Sequence, residues 1–333
     1  MKEQKFSQFI GIDLSKNTFD VAIFLPDDKQ SSSYVFENSK KGIKAFFTLL
    51  KNNKFKLENC FICMEHTGVY GRLLIAKLVE KEACFTVEMS LKIIRSMGLL
   101  RGKNDKIDAV RIAHYAHKNH ESLELYQAPP IVLEKIRILM SLRDQVVQFN
   151  ADLKKHPNEL NKFDPELAKL ANKSIKTLLK QLKEQVKRLE DKITVLISED
   201  EKLSRTIALT TSVPGVGKIT ALQIAISTNL LTKCENPKQL ACYSGVVPFE
   251  QSSGTSLNKR PRVHHMANKT IKKLLHMAAM SAITHDEEIR HYYLRKVEEG
   301  KSKMLVINNV RNKLIHRVYA VIKRNEPYVK KPA

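Results

Sequence analysis

Apolar positions along the chain change their period repeatedly, and two of the changes mark boundaries. From Phe9 to Leu25 the segment FIGIDLSKNTFDVAIFL reads as two strands joined by a polar turn at Ser15 to Asn17, and SYVFEN offers a third strand. Gly42 to Leu50 has the spacing of a helix, CFICMEH that of a buried strand, Gly71 to Lys81 that of a helix, and CFTVEM that of a further strand. With a helix starting near Asp105, the order predicts a ribonuclease H-like α/β domain over residues 1–128, its mixed sheet carrying acids on neighbouring strands.

After Pro129 and Pro130 strand patterns stop and long, charged helical sequence begins. Over 129–202 a coiled coil is predicted, with Leu179, Val186 and Ile193 at a positions and Ile175, Leu182, Leu189 and Leu196 at d. Two arrangements satisfy this stripe: a two-stranded coil between copies of the chain, and a hairpin packing it on Val132, Ile136, Leu139 and Val146 of the same chain. From about Leu203 a third region, 203–333, is globular and mainly helical, with a basic helical run through Lys272 and a final helix from Met304 to Arg324.

Charge changes the picture more than composition does. Lys and Arg number 57 against 35 Asp and Glu, a formal charge of +22, which suits a polyanion better than a small neutral substrate. Between Glu250 and Asp286 there is no acid, while Lys259, Arg260, Arg262, Lys269, Lys272 and Lys273 all fall there, as on a phosphate-contacting surface. No run of about 18 apolar residues spans a membrane, and the first residues lack the pattern of a secretory signal. Cys60, Cys63, Cys84, Cys234 and Cys242 form no disulfide framework, which fits a reducing cytoplasm. Cys60 and Cys63 stand mid-strand, so core packing accounts for their spacing better than metal binding does.

Against this basic background four acids stand out. Asp13 ends the strand GIDL, Glu65 ends FICME, and Asp105 and Asp108 are spaced i, i+3 at a helix start, on one face of its first turn. Carboxylates so gathered repel one another unless a hard cation such as Mg²⁺ cancels the charge, and such ions serve phosphodiester chemistry. Asp20, beyond the turn, is expected to face solvent. His66, Tyr70, His114 and His117 lie near the acids in sequence, as phosphate or water contacts or, more readily, as structural groups.

PGVG at Pro214 to Gly217 lacks the spacing of a phosphate-binding loop but matches the hairpin of a helix-hairpin-helix element. There Gly215, Gly217 and Lys218 would let backbone amides approach a phosphate; a purely structural turn explains the glycines equally well. Ser252 and Ser253 precede Gly254 in a polar loop flanked by basic residues, and a serine hydroxyl needs a base, a metal or close cations to become a nucleophile.

GIDLSKNTFDVAIF, CMEHTGVYG, GKNDKIDAVRIAHYA, SVPGVGKITA and YSGVVPFEQSSGTS, in this order, resemble the insertion sequence 110 (IS110) family of bacterial transposases, which includes Piv-like DNA invertases. The resemblance spans almost the whole chain. It implies a RuvC-like N-terminal domain with a DEDD metal site at Asp13, Glu65, Asp105 and Asp108, a linking coiled coil, and a C-terminal transposase domain with Ser253 as nucleophile. It further implies Mg²⁺, double-stranded donor and target DNA, a bridge RNA, dimers that pair into a tetramer, and recombination through a transient serine–DNA phosphodiester. The chain departs from the family at Ala267, where glycine is frequent, and its tandem serines leave Ser252 as an alternative nucleophile and Ser244 as a third. The expectation is therefore a cytoplasmic DNA recombinase; the rivals are a structure-specific endonuclease using the acids alone and a nucleic-acid-binding protein with an inactive metal site.

Overall fold

Alternation in the first apolar segments becomes register in a sheet. The computed structural model describes residues 6–96, 105–253, 257–264 and 266–330, with the backbone alone at residue 105 and at residues 250–260. β1 (Gln8–Leu14), β2 (Thr18–Leu25) and β3 (Gln30–Glu37) form an antiparallel meander; β4 (Cys60–Glu65) adds parallel to β1, and β5 (Phe85–Glu88) parallel to β4. The strand order is β3-β2-β1-β4-β5. Helices α1 (Lys40–Asn52), α2 (Arg72–Glu80), α3 (Ser90–Ser96) and α4 (Asp105–Asn119) complete this part.

Because side chains alternate across a strand, each face of the sheet has its own core. Ile10, Ile12, Phe19, Val21, Ile62 and Met64 pack with Ile43, Phe46, Leu74 and Leu78 of α1 and α2. On the other face Phe9, Ala22, Phe24, Phe61 and Cys63 meet Ala109, Ile112, Ala113 and Ala116 of α4. Here the backbones come unusually close: a Cβ on Gly11 would lie 2.2 Å from both the Ala109 carbonyl oxygen and the Ala113 amide nitrogen. Glycine on the strand and alanines on the helix thus fix how α4 crosses β1.

The chain divides into two compact units, Met1–Ala128 and Pro129–Ala333. The second opens with α5 (Ile131–Leu160) and α6 (Pro165–Ser198), which pack antiparallel on each other: Asn150 bonds the Leu179 carbonyl, and Arg143 pairs with Glu190 at 2.7 Å. The predicted a/d stripe is thus used inside one chain. Partly exposed ion pairs such as this one contribute about 0–1 kcal/mol, whereas each buried Leu, Ile or Met contributes about 1.5–3 kcal/mol. The join therefore depends on Leu133, Ile136, Met140, Ile193 and Ile197, which share a core with α7 (Glu201–Thr211) and α8 (Lys218–Thr228). Farther along, the stripe residues Ile175 to Leu189 are only half-buried, and Phe149, Leu167 and Leu170 are exposed.

The remaining elements are α9 (Pro237–Tyr243), β6 (Phe249–Ser253), β7 (Leu257–Arg262), α10 (Lys269–His285), α11 (Glu287–Glu298) and α12 (Lys303–Arg324). The α10–α12 helices enclose a core of Ile271, Leu275, Ala279, Val310, Leu314 and Val318. Asp286 caps α11 by accepting from the Glu288 and Ile289 amides, and it pairs with Arg317 at 2.8 Å while 3% exposed. Arg317 also lies over the Tyr328 ring, the Tyr328 amide donates to Ser212 Oγ, and Arg205 bonds Asn325. One expectation is corrected. The segment read as a loop and basic helix between Glu250 and Lys272 includes an antiparallel two-stranded ribbon, β6–β7, and its helix starts only at Lys269. Gln251, Asn258 and their neighbours show no apolar alternation in the sequence, so the pattern gave no strand signal.

Gly11→Ala should lower the stability of the full chain by about 1–3 kcal/mol through overpacking against α4, read as a shift in urea midpoint at unchanged slope. Gly217→Ala, whose new methyl would meet open space, should cost less than about 1 kcal/mol.

Candidate functional site

The close approach at Gly11 decides where the acids go. Asp13 lies two residues along β1, on the α4 side of the sheet, and is half-buried. Ile12 pairs in parallel register with Met64, so the following residues, Asp13 and Glu65, share the opposite, α4-facing side of adjacent strands. Glu65 accepts a hydrogen bond from Ser90 Oγ at the start of α3. On α4 the buried positions are Ala109, Ile112, Ala113, Tyr115 and Ala116; Asp108 is one turn earlier than Ile112, towards the strand ends. Asp108 Oδ1 pairs with Arg111 at 2.6 Å. The Asp105 side chain lies outside the described residues.

Two acids join this face that sequence reading missed. Asp20, expected to face solvent, is the cross-strand partner of Asp13 and half-buried. Counting back from the turn at Ser15 to Asn17 pairs position 13 with position 20, so the signal was present in the hairpin. Glu88 is in register with Glu65, only 9% exposed, and held by Lys92 at 3.1 Å. Burial, then the nearby Glu88 carboxylate and Cys63, push the Tyr115 phenol on α4 up to about 12. Glu88 gave no signal, because its burial and its pairing with Lys92 of α3 are set by tertiary packing.

The donor chemistry of this face fits a hard divalent cation, since its carboxylates are all-oxygen ligands. Among the described residues no three His, Cys, Asp or Glu side chains stand close enough to hold a metal ion. Glu65 is held by Ser90 and Asp108 by Arg111, so both would have to exchange partners. The C-x-x-C thiols are no alternative: burial pushes Cys60 up to about 12 and raises Cys63 further. His66 and Tyr70 are exposed beyond β4. His114 and His117 instead pack against Phe24, with ring centroids at 4.3 and 5.1 Å, farther along α4 than the acids.

In the second unit, PGVG forms the turn between α7 and α8. Gly215 has φ +88°, and its missing Cβ would fall 2.5 Å from the Ala278 carbonyl oxygen, so this glycine seats the turn on α10. Gly217 is exposed at the uncapped start of α8, and Lys218 donates to Thr194 at 2.6 Å. Gly217 and the first α8 amides are therefore the part of the hairpin open to an anion.

Ser252 and Ser253 end β6, opposite Asn258 and Leu257, while their side chains and Gly254 lie outside the described residues. Lys259, Arg260 and Arg262 are on β7, with Arg262 exposed; the first two side chains are likewise outside. Lys269, Lys272 and Lys273 occupy the first turns of α10, where Asn268 caps the helix through the Ile271 amide. Ser244 is fully buried and donates to the Leu240 carbonyl at 2.6 Å, so it packs α9 and is no exposed nucleophile. Ala267 holds this junction: its methyl is 2.8 Å from where a Gly245 Cβ would be.

Comparisons with known proteins match this layout. A DEDD-type IS110 transposase model, described as a transposase, matches residues 10–162, and a model described as the IS116/IS110/IS902 transposase family matches 208–294. Pilin gene-inverting proteins of Moraxella bovis and Moraxella lacunata are each 24% identical over 334 residues, covering 97% of this chain and 98% of the relative. An uncharacterized 43.6 kDa protein of insertion element IS110 from Streptomyces coelicolor is 28% identical over 113 residues, 34% of this chain and 28% of that protein.

The histidines of α4 predict a pH dependence of stability. Burial, then the charge of a neighbouring histidine, holds His114 and His117 below the ordinary value of 6.5. The unfolded chain thus binds more protons in this window, and stability present above pH 6.5 is lost as pH falls towards the folded values. Thermal melts between pH 7.5 and 5 should show this loss, and His114→Gln with His117→Gln should flatten it.

Proposed function

The chain belongs to the IS110 family of transposases and DNA invertases, and from that premise we propose a DNA recombinase in which the acids facing α4 and a serine of the β6–β7 ribbon act together. Family membership implies DNA as a partner and dependence on a divalent cation. The finer reading is a RuvC-like first domain, Mg²⁺ as the ion and Ser253 as the nucleophile. A coiled-coil region over 129–202 and a C-terminal transposase domain over 203–333 complete it. The observation that carries it is the shared face: alternation aims Asp13 and Glu65 to the side where α4 begins, and α4 begins with Asp105 and Asp108.

Asp13, Glu65, Asp105 and Asp108 would hold Mg²⁺, which when bound polarises a scissile phosphate. The serine Oγ attacks phosphorus, forming the Oγ–P bond as the P–O bond to the leaving deoxyribose breaks. The serine proton passes to a base, and the departing oxygen takes up a proton. A hydroxyl from a partner strand reverses the step and frees the serine. Gly217, Lys218 and the basic residues Lys259 to Lys273 would hold phosphates of the strands without reading sequence.

Among the described residues no helix is long and apolar enough to cross a membrane; with five free cysteines this supports a cytoplasmic location. The half-covered stripe of α5 and α6 supports assembly into dimers and tetramers on DNA, and the charge of +22 supports a bridge RNA as guide.

Denaturing gels of reactions on labelled DNA carrying an element end should show a protein–DNA adduct. Ser253→Ala should abolish it and Ser252→Ala should retain it. Asp13→Asn should lower its formation at least about 100-fold. Accumulation of hydrolysed ends with no adduct would instead establish the endonuclease, and unchanged behaviour of Asp13→Asn the inactive binding protein.

A further inference from the structure

The face of the first unit turned away from the acids carries a groove of about 1000 Å³ between α1, the turn that follows it, and α2. Its floor is apolar: Ile43, Phe47, Leu50, Phe55 and Leu57, with Leu73 47% exposed at the side. Its rim has seven lysines against one acid, Glu80, and Lys77 already pairs with that glutamate. Lys44, Lys51 and Lys54 are exposed along one edge. An exposed apolar trough of this kind marks a binding surface, and its lysine lips, of which Lys77 and Lys56 already hold Glu80 and Glu58, select an anion.

We propose that this groove binds a single-stranded polynucleotide, with bases on Phe47 and Phe55 and phosphates on the lysine rim. Charge complementarity singles out a polyanion, and the aromatic floor distinguishes a single strand from a duplex, whose bases are stacked inside and cannot reach the two rings. An acidic peptide would satisfy the lysines but has no flat rings to lay on the phenylalanines. The occupant is not the strand being cut, because α1 and α2 cover the sheet face opposite the one carrying Asp13 and Glu65. The inference rests on the recombination reading only for the presence of nucleic acid.

Fluorescence anisotropy on the full chain with labelled 20-nucleotide oligo-dT and oligo-U measures the binding directly and separates DNA from RNA as the source. Lys44→Gln, Lys51→Gln and Lys54→Gln combined should weaken it by roughly tenfold or more, and the salt slope should fall by about 0.7 for each phosphate that the variant leaves without a cation. Phe47→Leu, which keeps the floor apolar, should weaken it roughly fivefold or more by removing a stacking surface, with circular dichroism showing both variants folded. Adduct formation on element-end DNA is scored on the same preparations, so its absence with oligonucleotide binding intact sinks the recombination reading alone, and its presence without that binding sinks this one. Photo-crosslinks from 5-iodouracil oligonucleotides should map to peptides containing Phe47 or Phe55. Undiminished affinity of the triple lysine variant, crosslinks confined to residues 129–333, or displacement by polyglutamate with no oligonucleotide bound would overturn the proposal.

Discussion

Backbone contact between Gly11 on β1 and the Ala109–Ala113 turn of α4 is the constraint from which the acid face follows. Side chains of any size at Gly11 would lift the helix, whose start includes Asp108. Helix–sheet packing is usually spaced by side chains and tolerates small shifts in angle. Here carbonyl and amide abut the strand directly, so the first turn of α4 has little freedom to slide or tilt. The same contact explains why alanines recur along α4 and at Ala22: larger groups would separate the surfaces that glycine brings together.

Gathering acids on one face sets a second condition. Asp13 and Asp20 are direct cross-strand neighbours, and like charges so placed repel each other. Elsewhere on this face the fold compensates locally, through Lys92 on Glu88, Arg111 on Asp108 and Ser90 on Glu65. These partners are light holds rather than buried networks. Asp108 and Arg111 keep partial exposure, so their pairing can be traded for another cation at small cost.

Much of this is legible in the sequence. The succession of strands and helices in the first unit follows from changes of apolar period, and Asp108 lies on a helix as its spacing predicts. Legibility fails where burial is tertiary. Glu88 reads as an ordinary strand-end acid, and its burial comes only with the tertiary packing around β5. Asp20 is misjudged when its position beyond the turn is weighed without counting the register. The β6–β7 ribbon escapes for the opposite reason: with polar and basic residues on both faces it carries no periodic signal. The heptads of α6 are plain in the sequence, yet a heptad does not say whether its partner is the same chain or another; α5 shares a core with the Ile193–Ile197 end of the stripe.

Near its carboxyl end the polypeptide is stitched back to the α7–α8 turn. Tyr328 gives its amide to Ser212 and its ring to Arg317, which also braces the cap of α11, while Asn325 receives Arg205 from α7. Several helices are thereby coupled to a short stretch of tail. A tag or label attached there would tug on the α7–α8 turn, so probes of this molecule belong on the exposed bend between α5 and α6 instead.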